Sequence, residues 1–178
     1  MDYLSAAATI LYGLYYSVVR LYHLYPVHQR LLLIAPPKSR LPHIIWTLMC
    51  SLGYTWHVLY LTLMPRFDYS YNMAFNITIG MIHNFLWILY SLPASLPILR
   101  RFPTRPKTYR PAYVSKAAVL VFATTAAMCL ELFDFPPWER MIDAHSLWHL
   151  ATVPIAAYWY DFILEDSMDE GWRGRARG

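Results

Sequence analysis

Apolar residues run through this chain in five long blocks, broken by short stretches rich in proline and charge. The blocks cover about residues 3–25, 43–64, 69–92, 112–133 and 141–164. Each reaches the roughly 20 residues that a helix needs to cross the hydrocarbon core of a bilayer. Between them lie "PVHQRLLLIAPPKSRLP", "PRFD", "PASLPILRRFPTRPKTYRP" and "DFPPWER". Proline cannot continue a helix interior, so these segments read as ends and turns. The pattern predicts an all-α, polytopic membrane helix bundle with five transmembrane helices. Residues 1–178 read as one membrane domain with a basic tail at 165–178, and no repeat of fixed period is present.

Composition supports this reading. Hydrophobic residues make up 57% of the chain and charged residues 15%, against about 25% charged in soluble domains. The 15 Tyr and 7 Trp suit the membrane–water interface, where an amphipathic ring meets both of its preferred solvents. A net charge of +4 does not point to nucleic acid, because the charges sit in loops and form no groove-sized basic surface. Cys50 and Cys129 each lie inside an apolar block and read as small core residues. The residues after Met1 lack the basic region and small-residue cleavage site of a secretory signal. Asn76-Ile77-Thr78 fits a glycosylation sequon but falls inside a predicted span, out of reach of the transferase.

Charge also sets an orientation. Thirteen of the 15 basic residues lie on one side of the predicted spans. They are Arg20, Arg30, Lys38 and Arg40; Arg100, Arg101, Arg105, Lys107, Arg110 and Lys116; and Arg173, Arg175 and Arg177. Only Arg66 and Arg140 lie on the other. The positive-inside rule makes the first side cytosolic, so the C-terminus is expected in the cytosol. Asp2, at the head of the first span, and Asp143, His145 and His149, at the head of the fifth, then share the lumenal face.

Positions i and i+4 lie on one face of a helix, so His145 and His149 can both reach one metal ion. The alternative is two interfacial histidines bonded to headgroups or backbone, since this spacing also arises by accident. Two ligands do not complete a site, because zinc needs at least three from the protein. His57 lies about seven residues from the lumenal end of its span, or roughly 10 Å deep, near the level of His149. Its bland reading is a buried histidine bonded to a neighbour. His23, His28 and His43 read as loop or interface residues, and Glu131 as a polar group near a helix end.

With these residues in view, the chain resembles the Per-like family of post-GPI-attachment factors, membrane proteins that remodel the lipid of glycosylphosphatidylinositol (GPI) anchors. The stretches that carry the resemblance are "MDY" at the start, "HVLYL" at 57–61, "RFDYSYNM" at 66–73 and "ELFDFPPW" at 131–138, then "DAHSLWHLATVP" at 143–154 and "LEDS" at 164–167. The family is similar to a wider group of seven-span hydrolases and receptors that includes alkaline ceramidases. The resemblance implies a zinc-dependent ester or amide hydrolase acting within the bilayer of the endoplasmic reticulum or Golgi. Its partners would be membrane lipid and GPI-anchored proteins, and its reaction a phospholipase A2-type removal of an acyl chain. It implies that His145 and His149 are metal ligands and that Asp2 is the catalytic aspartate opening a span. His57 and Asp143 are candidate supporting groups. It also implies two further spans upstream, carrying a serine and the third histidine, so that these residues read as the last five helices of a seven-helix fold with one zinc ligand missing.

Two functional classes stand at this point: the metal-dependent hydrolase, whose site is incomplete in these residues, and a non-catalytic membrane factor or receptor-like protein for GPI-anchored cargo. An ion carrier is a weaker third, because the cytosolic halves of the spans offer mainly His83 as a relay. The charge pattern yields a topological expectation. A reporter fused after Gly178 is expected in the cytosol, and one inserted at residues 134–140 in the lumen. A lumenal signal from the Gly178 fusion would contradict the odd number of crossings.

Overall fold

The computed structural model describes residues 2–24, 40–93, 101–102, 105–106, 108–133, 135–138 and 142–169. Among these the chain is all-α. Its helices are α1 (Asp2–Leu21), α2 (Leu41–Leu63), α3 (Tyr69–Ser91), α4 (Lys116–Leu132) and α5 (Ala144–Met168). A short 3-10 turn, Ala112–Ser115, leads into α4. The chain divides into two compact units, Met1–Leu86 and Trp87–Gly178, with the boundary inside α3.

The expected span count needs one correction. Among the described residues four helical segments are long and apolar enough to cross a membrane: Tyr3–Leu21, Leu41–Leu63, Tyr69–Ser91 and Ala112–Leu130. α5 has the length, at 25 residues, but not the composition. His145, His149, Pro154 and Asp161 dilute its apolar positions. A helix of that kind is suited to an interior or water-lined position rather than to bare lipid.

Helix ends follow local chemistry. α1 stops because His23 adopts φ 56°, and the Leu24 N–H then bonds back to the Val19 carbonyl at 2.9 Å. A left-handed residue with this return bond satisfies carbonyls that the helix leaves unpaired. α2 opens with a proline in its first turn, where the missing N–H costs nothing. The Asp68 carboxylate accepts from the Tyr71 N–H at 2.9 Å, satisfying a free donor at the head of α3. The other carboxylate oxygen of Asp68 accepts from the Tyr60 hydroxyl at 3.0 Å, which ties the end of α2 to the start of α3.

In the first unit α1 packs against α2. Polar bonds cross that contact: the Tyr15 hydroxyl pairs with His43 Nε2 at 3.0 Å, and the Tyr54 hydroxyl donates to the Leu4 carbonyl at 3.2 Å. Between α1 and α3, the buried Ser17 hydroxyl pairs with His83 Nδ1 at 2.8 Å and also donates to the Gly13 carbonyl at 2.7 Å. His83, the main polar group that the ion-carrier reading had to draw on, is thus one half of a helix-to-helix bond. His28 lies outside the described residues.

In the second unit α4 packs against α5 around fully buried Trp87, Tyr90 and Phe162. Trp87 meets Phe162 edge-on, with ring centres 5.2 Å apart. Trp159 Nε1 donates to Thr124 Oγ1 at 3.0 Å, joining α5 to α4. At the far end of α5 the Tyr90 hydroxyl donates to the buried Asp166 carboxylate, and the Tyr109 and Tyr113 hydroxyls donate to Asp169 at 3.1 and 2.9 Å. Arg101 Nε and Arg110 donate to the Tyr90 and Ser91 carbonyls at 2.6 and 2.9 Å, which are end-of-helix acceptors without partners inside α3. The Lys116–Glu165 pair at 2.7 Å is about half exposed and adds little to stability.

Losing the tyrosine donor to Asp166 leaves a buried carboxylate short of a hydrogen bond. Tyr90→Phe is therefore expected to destabilise the protein by about 1–3 kcal/mol, read as a lower thermal midpoint in detergent. Tyr109→Phe is expected to do much less, since Asp169 keeps Tyr113. Equal midpoints for wild type and Tyr90→Phe would contradict the role given to Asp166.

Candidate functional site

The head of α5 is built by its sequence. Trp138 and Ile142 close a tight two-way backbone bridge, with N···O distances of 2.7 and 3.2 Å, and deliver the chain to Asp143. There Asp143 Oδ1 accepts from the Ser146 N–H at 2.7 Å, and Ser146 Oγ accepts from the Asp143 N–H at 3.1 Å. This reciprocal capping box satisfies two donors at once. The bonds from Ser146 hold the Asp143 carboxyl below the ordinary carboxylate value of 3.8, with the neighbouring His145 adding in the same direction. Because the folded value is the lower one, the cap stabilises α5 fully above about pH 3.8. That contribution fades as pH falls below the unfolded value and is gone once pH has passed the folded one.

One turn in, the two histidines meet. His145 Nε2 and His149 Nε2 lie 3.0 Å apart, and the rings stand nearly perpendicular at 88°. Trp148 flanks both rings, at 5.5 Å from His145 and 4.5 Å from His149. Both imidazoles are exposed. A direct Nε2···Nε2 contact requires one nitrogen to carry the proton and the other to offer its lone pair. Two imidazoles sharing a tetrahedral zinc at ~2.0–2.1 Å would hold their nitrogens roughly 3.3 Å apart. The observed spacing lies close to that value, so the pair fits two positions of a zinc site with a small rotation of either ring. The carboxylate of Asp143 is engaged in the cap.

Asp2 opens α1, and its side chain lies outside what is described, as does that of Glu131. Asp2 and His57 belong to the first unit, and Asp143, His145 and His149 to the second. His57 is fully buried, stacked on Phe75 with ring centres 3.9 Å apart, and neither ring nitrogen has a hydrogen-bond partner among the described residues. The neighbour able to bond it, as the bland reading expects, is Asn72 on α3. Among the described residues no group of three or more His, Cys, Asp or Glu side chains is placed to hold a metal.

Sequence reasoning missed the carboxylate–tyrosine lock at the other end of α5. Its one signal was the acidic cluster "LEDS" and the aspartate that follows, directly after an apolar helix.

The Per1-like family matches residues 1–167. The Protein PER1 homolog of Schizosaccharomyces pombe is 36% identical over 164 residues, covering 92% of this chain and 43% of that protein. The GPI-specific phospholipase A2-like PGAP3 of Danio rerio is 36% identical over 168 residues, covering 94% of this chain and 45% of that protein. The Homo sapiens protein of the same name is 32% identical over 168 residues, covering 94% and 44%. The chain thus spans about half the length of the curated relatives it matches, and no solved structure matches it. With nearly its whole length matched, this multi-pass membrane chain belongs to the Per1-like family.

Proposed function

We propose that this chain serves the lipid remodelling of GPI anchors, as the part of a membrane hydrolase that presents two metal ligands to the lumenal leaflet. The observation that carries the proposal is the His145–His149 pair at 3.0 Å, on a helix head fixed by the Asp143–Ser146 capping box. The names of the PGAP3 relatives, GPI-specific phospholipase A2-like, supply the substrate class and the reaction, removal of one acyl chain from the anchor lipid.

In this reading His145 and His149 hold zinc through Nε2. Zinc, when bound, polarises an ester carbonyl and acidifies a water molecule. Asp143 fixes the helix head and so the aim of both rings. Asp2, by its place in the family pattern, would take up a proton at its carboxylate. The chain would sit in the membrane of the endoplasmic reticulum or Golgi, with membrane lipid and GPI-anchored proteins as its partners. Its C-terminal tail would be cytosolic, which requires α5 to cross shielded by protein rather than lipid. A second reading, a non-catalytic factor for GPI-anchored cargo, is favoured by the ligand count, since only two candidate metal ligands meet among the described residues.

The test is a chimera. Residues 1–167 replace the matching segment of the fission yeast relative, in cells lacking their own remodelling factor, and the lipid of GPI-anchored proteins is analysed. Restored acyl-chain removal is expected, with His145→Ala lowering it by at least about 100-fold, since loss of mere supporting groups around a metal already costs 10- to 100-fold. A chimera that restores cargo delivery without changing the anchor lipid would establish the non-catalytic reading.

A further inference from the structure

His57 is a residue the first unit has no internal reason to keep. It sits in the middle of α2, fully buried, with both Nδ1 and Nε2 unpartnered among the described residues. Burying polar atoms without hydrogen bonds is costly, and a phenylalanine of similar shape would keep the stack on Phe75 at no such cost. The opposing face of α3 continues the polar theme. Asn72, itself buried, is the side chain able to hydrogen-bond His57, without a bond of ordinary geometry in this structure. One turn on, Asn76 Nδ2 donates to Asn72 Oδ1 at 3.3 Å, while Asn76 Oδ1 is left without a partner. The strip thus offers three open positions: one imidazole N–H, one imidazole lone pair and one amide oxygen.

The cover over this strip is thin and aromatic. The Phe75 ring stacks on His57 at 19°, and the Tyr71 ring lies 5.5 Å away. On α2 the neighbouring Trp56 and Leu59 are exposed. Rotation of Phe75 would open the imidazole towards the apolar exterior of α2 and α3, both long and apolar enough to cross a membrane. What arrives from that side is lipid. An ester oxygen can only accept, and would answer the N–H alone. A hydroxyl both donates and accepts, and answers the N–H together with either open acceptor.

We propose that His57, Asn72 and Asn76 form an intramembrane site for a lipid hydroxyl, with Phe75 as its cover, and that the ligand class is a lysoglycerolipid with its freed secondary hydroxyl. The assignment deepens the proposed function, since removing an acyl chain creates that hydroxyl. It rests on that reading for the ligand's origin only. Water is the other source of the same chemistry.

The experiment compares two probes on the purified chain in nanodiscs: lysophosphatidylcholine and its 2-O-methyl ether, which has the same headgroup and chain but no hydroxyl. Binding is read by thermal shift across a titration. The wild type is expected to bind the hydroxyl probe about tenfold more tightly, the ratio that one hydrogen bond to a buried partner supports. His57→Phe, which keeps the ring stack, is expected to bind both probes alike. Asn76→Leu is expected to reduce the ratio and keeps the test valid if His57→Phe does not fold. Equal binding of the two probes by the wild type would overturn the proposal, whether water or nothing meets the imidazole. So would a ratio that persists in His57→Phe. Because binding alone is read, either failure leaves the acyl-removal test of the chimera standing.

Discussion

A polar side chain at membrane depth has no water to fall back on, so it must find its hydrogen bonds within the protein or from a ligand. That constraint orders this structure. Ser17 and His83 meet between α1 and α3. Tyr90 meets Asp166 across the second unit, and Arg101 and Arg110 turn to the end carbonyls of α3. Where the constraint is met inside the chain, the result is a staple between helices. Where two histidines meet each other at a helix head, at His145 and His149, the structure exposes its chemistry.

The two ends of α5 show the division of labour. Its tail is fixed by two carboxylates with tyrosine donors: Asp166 from Tyr90, and Asp169 from Tyr109 and Tyr113. Among the described residues its head is fixed locally by the Asp143–Ser146 box, and it presents two exposed imidazoles. A helix anchored firmly at one end and capped at the other holds the two imidazoles at a defined height while leaving them accessible. That is the arrangement a metal-binding pair requires.

Local signals were legible and distant ones were not. The proline-marked loops placed all five helices to within a few residues. Even so, α1 stops at Leu21 because His23 takes a left-handed backbone that no sequence rule would assign to it. The i, i+4 spacing foretold that His145 and His149 would meet. The limit was reached at pairs far apart in sequence: Tyr90 and Asp166 are separated by 76 positions, and nothing along the chain says which of fifteen tyrosines faces which acid. The same limit hid the surroundings of His57, since the sequence does not say that Asn72 and Phe75 of α3 face it. The span count of α5 went astray for a different reason, because block length was weighed above the polar residues within the block.

The pairing of His145 with His149 as metal ligands is the centre of this account. X-ray absorption at the zinc edge, on the zinc-loaded chimera with the fission yeast relative, measures it most directly. Imidazole scattering is expected from more than one histidine at ~2.0–2.1 Å, falling by one imidazole in His145→Ala and again in the variant that also carries His149→Ala. A zinc shell unchanged by either substitution would contradict the account and leave the pair as two hydrogen-bonded histidines at a helix head.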